Sequence, residues 1–177
     1  MTDSAFRVGV FGSGLPAPGD PIYEGALVIG RELARRGAAV VCGGRGGVME
    51  AACRGAAEEG GISLGVLVEG SSEPNAWVTR AVREPDLSAR LNRLLRETQA
   101  GIFLPRGLGT LVEIAFFTES VAKGQAAPRP LVFLGESWRS LAMTAIEEAS
   151  GPGAGALAEC VRFAPTPWEA VALALGA

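Results

Sequence analysis

Histidine is absent from this 177-residue chain, and lysine occurs once, at Lys123, against fifteen arginines. Without imidazole, proton transfer near neutral pH falls to carboxylates, Tyr23, cysteine, arginine or water. The three cysteines, at 42, 53 and 160, are odd in number and fit no zinc spacing. Each lies in an apolar segment and reads as a buried, reduced thiol of a cytoplasmic protein. A net charge of −3 argues against nucleic acid as the main partner. No run of about 18 apolar residues exists to span a membrane. The opening MTDSAFRVGV lacks the basic and apolar regions of a signal peptide. No cofactor and no metal is expected.

What is present is a globular composition, 48% hydrophobic and 20% charged, with length enough for one ordinary core, so residues 1–177 read as a single domain. Short apolar runs alternate with helical patterns. FRVGVFG, AAVVCGG, ISLGVLV, GIFL and PLVFLG read as strands. VTRAV and CVRFA are two further candidates. Between them, Asp20 and Pro21 open a helix that Gly37 closes. The segments 86–98 and 110–122 are helical, Ser137 can cap another helix, and Thr166-Pro167 with Glu169 forms a capping box. GPGAGA (151–156) reads as a flexible link. This alternation predicts an α/β, Rossmann-like, doubly wound parallel sheet in a three-layer α/β/α arrangement. Right-handed crossovers put every strand's C-terminal end on one edge, where ligands of such sheets bind.

Three strand ends at that edge carry turn chemistry. In FGSGLPAP, Gly12-Ser13-Gly14 followed by Ala17 loosely fits a dinucleotide fingerprint. Pro16 and Pro18 disturb the helix start, and Cys42 and Gly43 stand where a ribose-reading acid belongs, so a tight turn is the simpler reading. Ser13 is still free to donate to a ligand. In CGGRGGVME, Gly43, Gly44, Gly46 and Gly47 surround Arg45 where a strand meets a helix. Glycines let backbone N–H groups approach an anion, although packing of helix on strand explains some of them. In LPRGLGTLVE, Gly107, Leu108, Gly109 and Thr110 place bare N–H groups, a hydroxyl and a helix dipole together, an arrangement suited to phosphate. If Thr110 is the N-cap, Glu113 lies at N3 and the pair makes a capping box, which would turn the carboxylate away from any ligand. Neither glycine turn continues into Lys-Ser or Lys-Thr, so there is no Walker A motif.

Two of these turns together resemble the LOG-type proteins, cytokinin riboside 5′-monophosphate phosphoribohydrolases long mislabelled as lysine decarboxylases. GGRGGVMEAA is similar to their GGG-x-x-G-[LV]-M segment, including Met49, and PRGLGTLVE to their P-G-G-x-G-T-x-x-E signature. The likeness runs from about Arg7 to Trp138. It implies a Rossmann-like fold, usually a homodimer built on the helices around the signature. It also implies hydrolysis of a nucleoside 5′-monophosphate, AMP or a modified AMP, to free base and ribose 5-phosphate. By that resemblance Glu113 and Arg90, which stands fifteen residues before Pro105, are the catalytic pair, and residues 107–110 hold the phosphate.

Glu113 would then stabilise positive charge on the ribose and orient a water. Arg90 would hold the phosphate or ribose, or keep Glu113 ionised. Arg93 is placed to face the same site, Arg96 to meet solvent, and Trp77 and Trp138 either stack on a base or pack. The sequence departs from the pattern at Arg106, where Gly is usual and where a phosphate contact or a crowded pocket would result. It departs again at Leu91, which replaces a lysine, and at Cys42, which replaces a glycine. These changes are similar to those of the molybdenum-cofactor carrier proteins. The alternative function is therefore non-catalytic carriage of a phosphorylated, nucleotide-like ligand. A decarboxylase would need a Schiff-base lysine, and Lys123 sits at a helix end away from both turns.

Overall fold

The computed structural model describes residues 5–176. Seven strands form one sheet: β1 (Arg7–Phe11), β2 (Ala39–Cys42), β3 (Ser63–Val68), β4 (Arg80–Glu84), β5 (Ala100–Phe103), β6 (Leu131–Leu134) and β7 (Val161–Ala164). Their order is β4-β3-β2-β1-β5-β6-β7, and every pairing is parallel. The chain winds outward from β1 one way through β4 and then returns to β1's other side as β5. The crevice at that reversal, between the C-terminal ends of β1 and β5, is where doubly wound sheets take ligands.

Helices cover both faces, as the alternating pattern predicts. On one face lie α1 (Pro21–Arg35), α2 (Val48–Glu58) and α7 (Pro167–Leu175), packed on a core that includes Val8, Val10, Val40 and Ile102. On the other lie α3 (Leu87–Glu97), α4 (Leu108–Ala122), α5 (Arg139–Glu147) and α6 (Ala154–Cys160), over Phe11, Val41, Phe103 and Phe133. Because side chains alternate along a strand, Val10 and Phe11 serve opposite cores. Phe11 stacks on Phe103 at 5.1 Å and Phe103 on Phe133 at 5.2 Å, an aromatic row lying across three strands. Gly9 makes room for it, since a β-carbon there would stand 2.4 Å from the Phe11 ring. Likewise α1 and α2 approach at Gly30 and Gly55, where a β-carbon would meet a backbone carbonyl oxygen at 2.1 Å in each case.

Several local expectations hold. Asp20 caps α1 by accepting from Ile22 N–H at 2.8 Å, with Pro21 as the first helical residue. Thr166 caps α7 by accepting from Glu169 N–H at 3.3 Å. Three expectations need correction. Ser137 does not cap α5, which starts after Trp138 with no side-chain cap. The GPGAGA segment is not a free link, because α6 begins inside it at Ala154 and Gly153 packs against the carbonyl of Val121. Third, α4 begins two residues early, at Leu108 with Gly107 in the capping position, so Thr110 is an interior residue and the Thr110–Glu113 capping box does not form. Gly107, at φ 104°, takes a conformation that favours glycine and starts the helix without a side chain. Among the described residues, no helix is long and apolar enough to cross a membrane.

Candidate functional site

The turns after β1 and β5 face each other across the crevice and enclose a cavity of about 470 Å³, within the range of nucleotide-sized pockets. The turn from Gly107 to Thr110 forms one wall, Gly12 to Leu15 another, and Arg45 with Met49 a third. Arg90 and Glu113 reach in from α3 and α4.

The two helices that start here differ at the first amide, while Met49 and Glu50 N–H of α2 meet no acceptor among the described residues. The carbonyl of Ser13 lies across the start of α2 and accepts from Val48 N–H at 3.0 Å. A β-carbon at Gly47 would strike that carbonyl at 2.4 Å. The start of α4 is open. Among the described residues no acceptor meets the N–H groups of Gly109 or Thr110. The Thr110 hydroxyl is buried with no hydrogen-bond partner. Orphan amides at a helix end call for a partner, and a buried hydroxyl left unpaired costs about 1–3 kcal/mol.

Glu113 is buried beside this opening, one helical turn further along α4. Its Oε1 stands 3.7 Å from Arg90 Nη2. Burial pushes the carboxyl's pKa up, and the Arg90 charge opposes that without cancelling it, leaving a value of about 7. Arg90 is anchored by donating from Nε to the Val66 carbonyl at 2.9 Å. Its guanidinium lies over Gly43, where a β-carbon would be 2.1 Å from Nη2. Gly43 therefore contributes by having no side chain.

Of the residues singled out in the sequence, the structure brings together on the cavity wall Ser13, Arg45, Met49, Arg90, Gly107, Leu108, Gly109, Thr110 and Glu113. Gly44 packs toward Leu67 and Gly65, and Gly47 against the Ser13 turn, so these two serve as packing glycines. Gly46 lies behind Arg45, near the Gly14 carbonyl. Arg106 is exposed on the turn with φ 71°, and it neither lines nor blocks the cavity. Arg93 does not face the site; it is held by Glu97 at 2.7 Å and Glu84 at 3.6 Å. Arg96 is exposed, as expected. Trp77 and Trp138 do not line the cavity. Trp138 Nε1 donates to the Leu104 carbonyl at 2.7 Å, and the Trp77 ring lies 5.8 Å from the Arg54 guanidinium.

One residue escaped the sequence reading. Asn75, in the loop before β4, donates its N–H to Gly44 O and its Nδ2 to Arg45 O, each at 2.8 Å. It pins the glycine loop from outside. Nothing in SSEPNAW marks it, because the partners are backbone atoms thirty residues away. Beneath the same loop, Cys42 and Cys53 are free and buried with sulfurs 3.5 Å apart, and Gly44 N–H donates to Cys42 Sγ. All three cysteines are buried, as read from the sequence.

The sequence model of the SLOG cluster4 family matches residues 5–126. The chain belongs to that family. The LOG-like character and the carrier-like branch read from the motifs both stand, and structural similarity points the same way. The molybdenum cofactor binding protein of Rippkaea orientalis superposes with a TM-score of 0.78 at 25% identity, over 99% of this chain and 98% of that one. The molybdenum cofactor carrier protein of Chlamydomonas reinhardtii gives 0.76 at 26%, over 96% and 95%. An uncharacterised protein of Archaeoglobus fulgidus is 28% identical over 129 residues, spanning 73% of this SLOG-family chain and 84% of its own length. DNA processing protein A of Helicobacter pylori, at 17% identity and a TM-score of 0.64, covers 98% of this chain and 82% of its own, and shares the fold alone.

Proposed function

We propose that this protein binds and carries a small phosphorylated, nucleotide-like ligand, of which the molybdenum cofactor is one example, with the phosphate seated on the start of α4. The observation that carries this reading is the unpartnered Thr110 hydroxyl, buried beside uncapped amides inside the cavity. A phosphate oxygen accepts from those amides and from the hydroxyl and meets the positive end of the helix dipole. Arg90 lies close enough to add its charge to an anion there, and Gly107 keeps the approach clear of side chains. The two cofactor-binding proteins of similar structure support carriage over turnover. The ligand is cargo in this reading, and the protein's own residues bind, orient and shield it. Calorimetric titration with ribose 5-phosphate, inorganic phosphate and nucleoside monophosphates tests the site. The reading requires saturable binding that Thr110→Val weakens, with the ligand recovered intact.

The Arg90–Glu113 pair favours a second reading, hydrolysis of the N-glycosidic bond of a nucleoside 5′-monophosphate. In that reaction the C1′–N bond breaks, water supplies the hydroxyl to C1′, and its proton ends on the departing base. Positive charge develops on the ribose ring. A carboxylate poised near pH 7 suits both demands, stabilising the charge when ionised and taking the water's proton. Arg90 holds the substrate and keeps a share of Glu113 ionised. Free base released from AMP, and abolished by Glu113→Gln, would establish this reading over carriage. Intact AMP after prolonged incubation with binding-competent protein would remove it.

A further inference from the structure

The cavity wall is divided. Its inner part is polar, with Thr110, Arg90 and Glu113, while its rim carries three leucines from three different elements. Leu15, in the loop after β1, is 91% exposed; Leu108, the first residue of α4, is 78% exposed; and Leu87, the first residue of α3, is 53% exposed. A single exposed leucine needs no explanation. Three converging on one opening, beside a polar floor, mark a surface built to be covered. The loop geometry holds the first of them outward, since Ser13 Oγ accepts from Leu15 N–H at 3.2 Å and turns that side chain away from the core.

The charged groups of the same wall are Arg45, Arg90 and Glu113. The wall carries no carboxamide and no aromatic side chain. Ser13 Oγ accepts from the Leu15 amide and keeps its O–H free to donate.

Building on the phosphate site proposed above, we infer that Leu15, Leu87 and Leu108 form an apolar clamp for the faces of a planar ring at the ligand's far end, and that the site tolerates different rings. The ligand class is a sugar phosphate, or similar phosphate, bearing an uncharged heteroaromatic ring. The polar floor selects the phosphate, and the leucines hold the ring by burial, which is non-directional and indifferent to the pattern of donors and acceptors on its edge. Sequence shows nothing of this, because a leucine at helix start or in a loop reads as ordinary packing.

Calorimetry with four probes tests the inference: ribose 5-phosphate, adenosine, and the carbocyclic analogues of AMP and CMP, whose sugar ring oxygen is a methylene so that no glycosidic bond can be cleaved. The expected result is that ribose 5-phosphate binds and that carbocyclic AMP binds roughly tenfold tighter or more, the gain from covering leucine surface. The CMP analogue should fall within about tenfold of the AMP analogue, since every ring has an apolar face. The doubly substituted Leu15→Ser, Leu87→Ser protein changes only exposed side chains outside the 107–110 turn. It should bind ribose 5-phosphate as before and carbocyclic AMP no more tightly than ribose 5-phosphate. If ribose 5-phosphate binds but the ring adds nothing, or the double variant keeps the full ring gain, the clamp is overturned while the phosphate site stands. If no phosphorylated probe binds, the phosphate site itself fails and the clamp with it.

Discussion

The guanidinium of Arg90 occupies the space that a β-carbon on Gly43 would take, 2.1 Å from Nη2. Two parts of the chain far apart in sequence are thus fitted to each other: a glycine at the end of β2 and an arginine on α3. That fit places Arg90 beside Glu113.

Gly43→Ala should therefore displace Arg90 without unfolding the protein. The colliding atoms belong to the far ends of two flexible side chains, Arg90 and Met49, and Gly43 has no positive φ. Thermal unfolding should change by less than about 1 kcal/mol, while ribose 5-phosphate affinity falls roughly tenfold through loss of a charge-assisted contact. Unchanged affinity would show that Arg90 does not reach the ligand.

Thr110→Val exchanges a buried, unpaired hydroxyl for a methyl of the same shape. In the free protein this removes an unmet desolvation cost, so chemical denaturation should show stability unchanged or raised by about 1 kcal/mol. Phosphate affinity should fall instead. A variant that both folds and binds less well would mean the hydroxyl has a structural partner.

The Glu113 carboxyl titrates near 7 in the folded protein, above its usual range. The native state then holds its proton at pH values where the unfolded chain has released it. This makes no difference below about pH 4, costs stability progressively between the two pKa values, and costs a constant amount above about pH 8. Glu113→Gln should stabilise the protein at pH 8 by up to about 3 kcal/mol, a gain that shrinks toward zero as pH falls to 4. Equilibrium unfolding across pH 4–8 measures it. A pH-independent difference between the two proteins would place the shifted proton elsewhere.

Asn75→Ala removes the side-chain bonds to Arg45 O and from Trp77 N–H, and leaves the backbone bond to Gly44 O. The expected cost is about 1 kcal/mol of stability, with faster hydrogen exchange confined to the glycine loop and a weaker ligand complex. Asn75→Asp should not rescue binding, since a carboxylate cannot donate to a carbonyl. Full rescue by Asp would show that Asn75 acts through another contact.

The alternation of strand and helix, the crossover rule and the glycine turns were enough to give a parallel doubly wound sheet, its ligand-bearing edge and the family resemblance. These depend on local periodicity and on backbone sterics, which neighbouring residues determine. The cap of α1, with Asp20 before Pro21, was legible for the same reason. Gly44 and Gly47 read as ligand glycines, and in the structure each is closely packed against protein atoms, because a missing side chain has the same signature whatever approaches it. Thr110 and Glu113 at capping-box spacing pointed to a local pair. Gly107 starts the helix earlier, so the hydroxyl is left unpartnered in the cavity and the acid faces an arginine on another helix.

Sequence by itself determined the architecture and the edge where chemistry can occur. Tertiary structure alone decided that a distant carbonyl, that of Ser13, covers the first amide of α2, and that the Thr110 hydroxyl on α4 is left without a partner. It alone decided that Glu113 is buried beside Arg90, because burial and charge proximity depend on elements the chain brings together only when the sheet closes around β1.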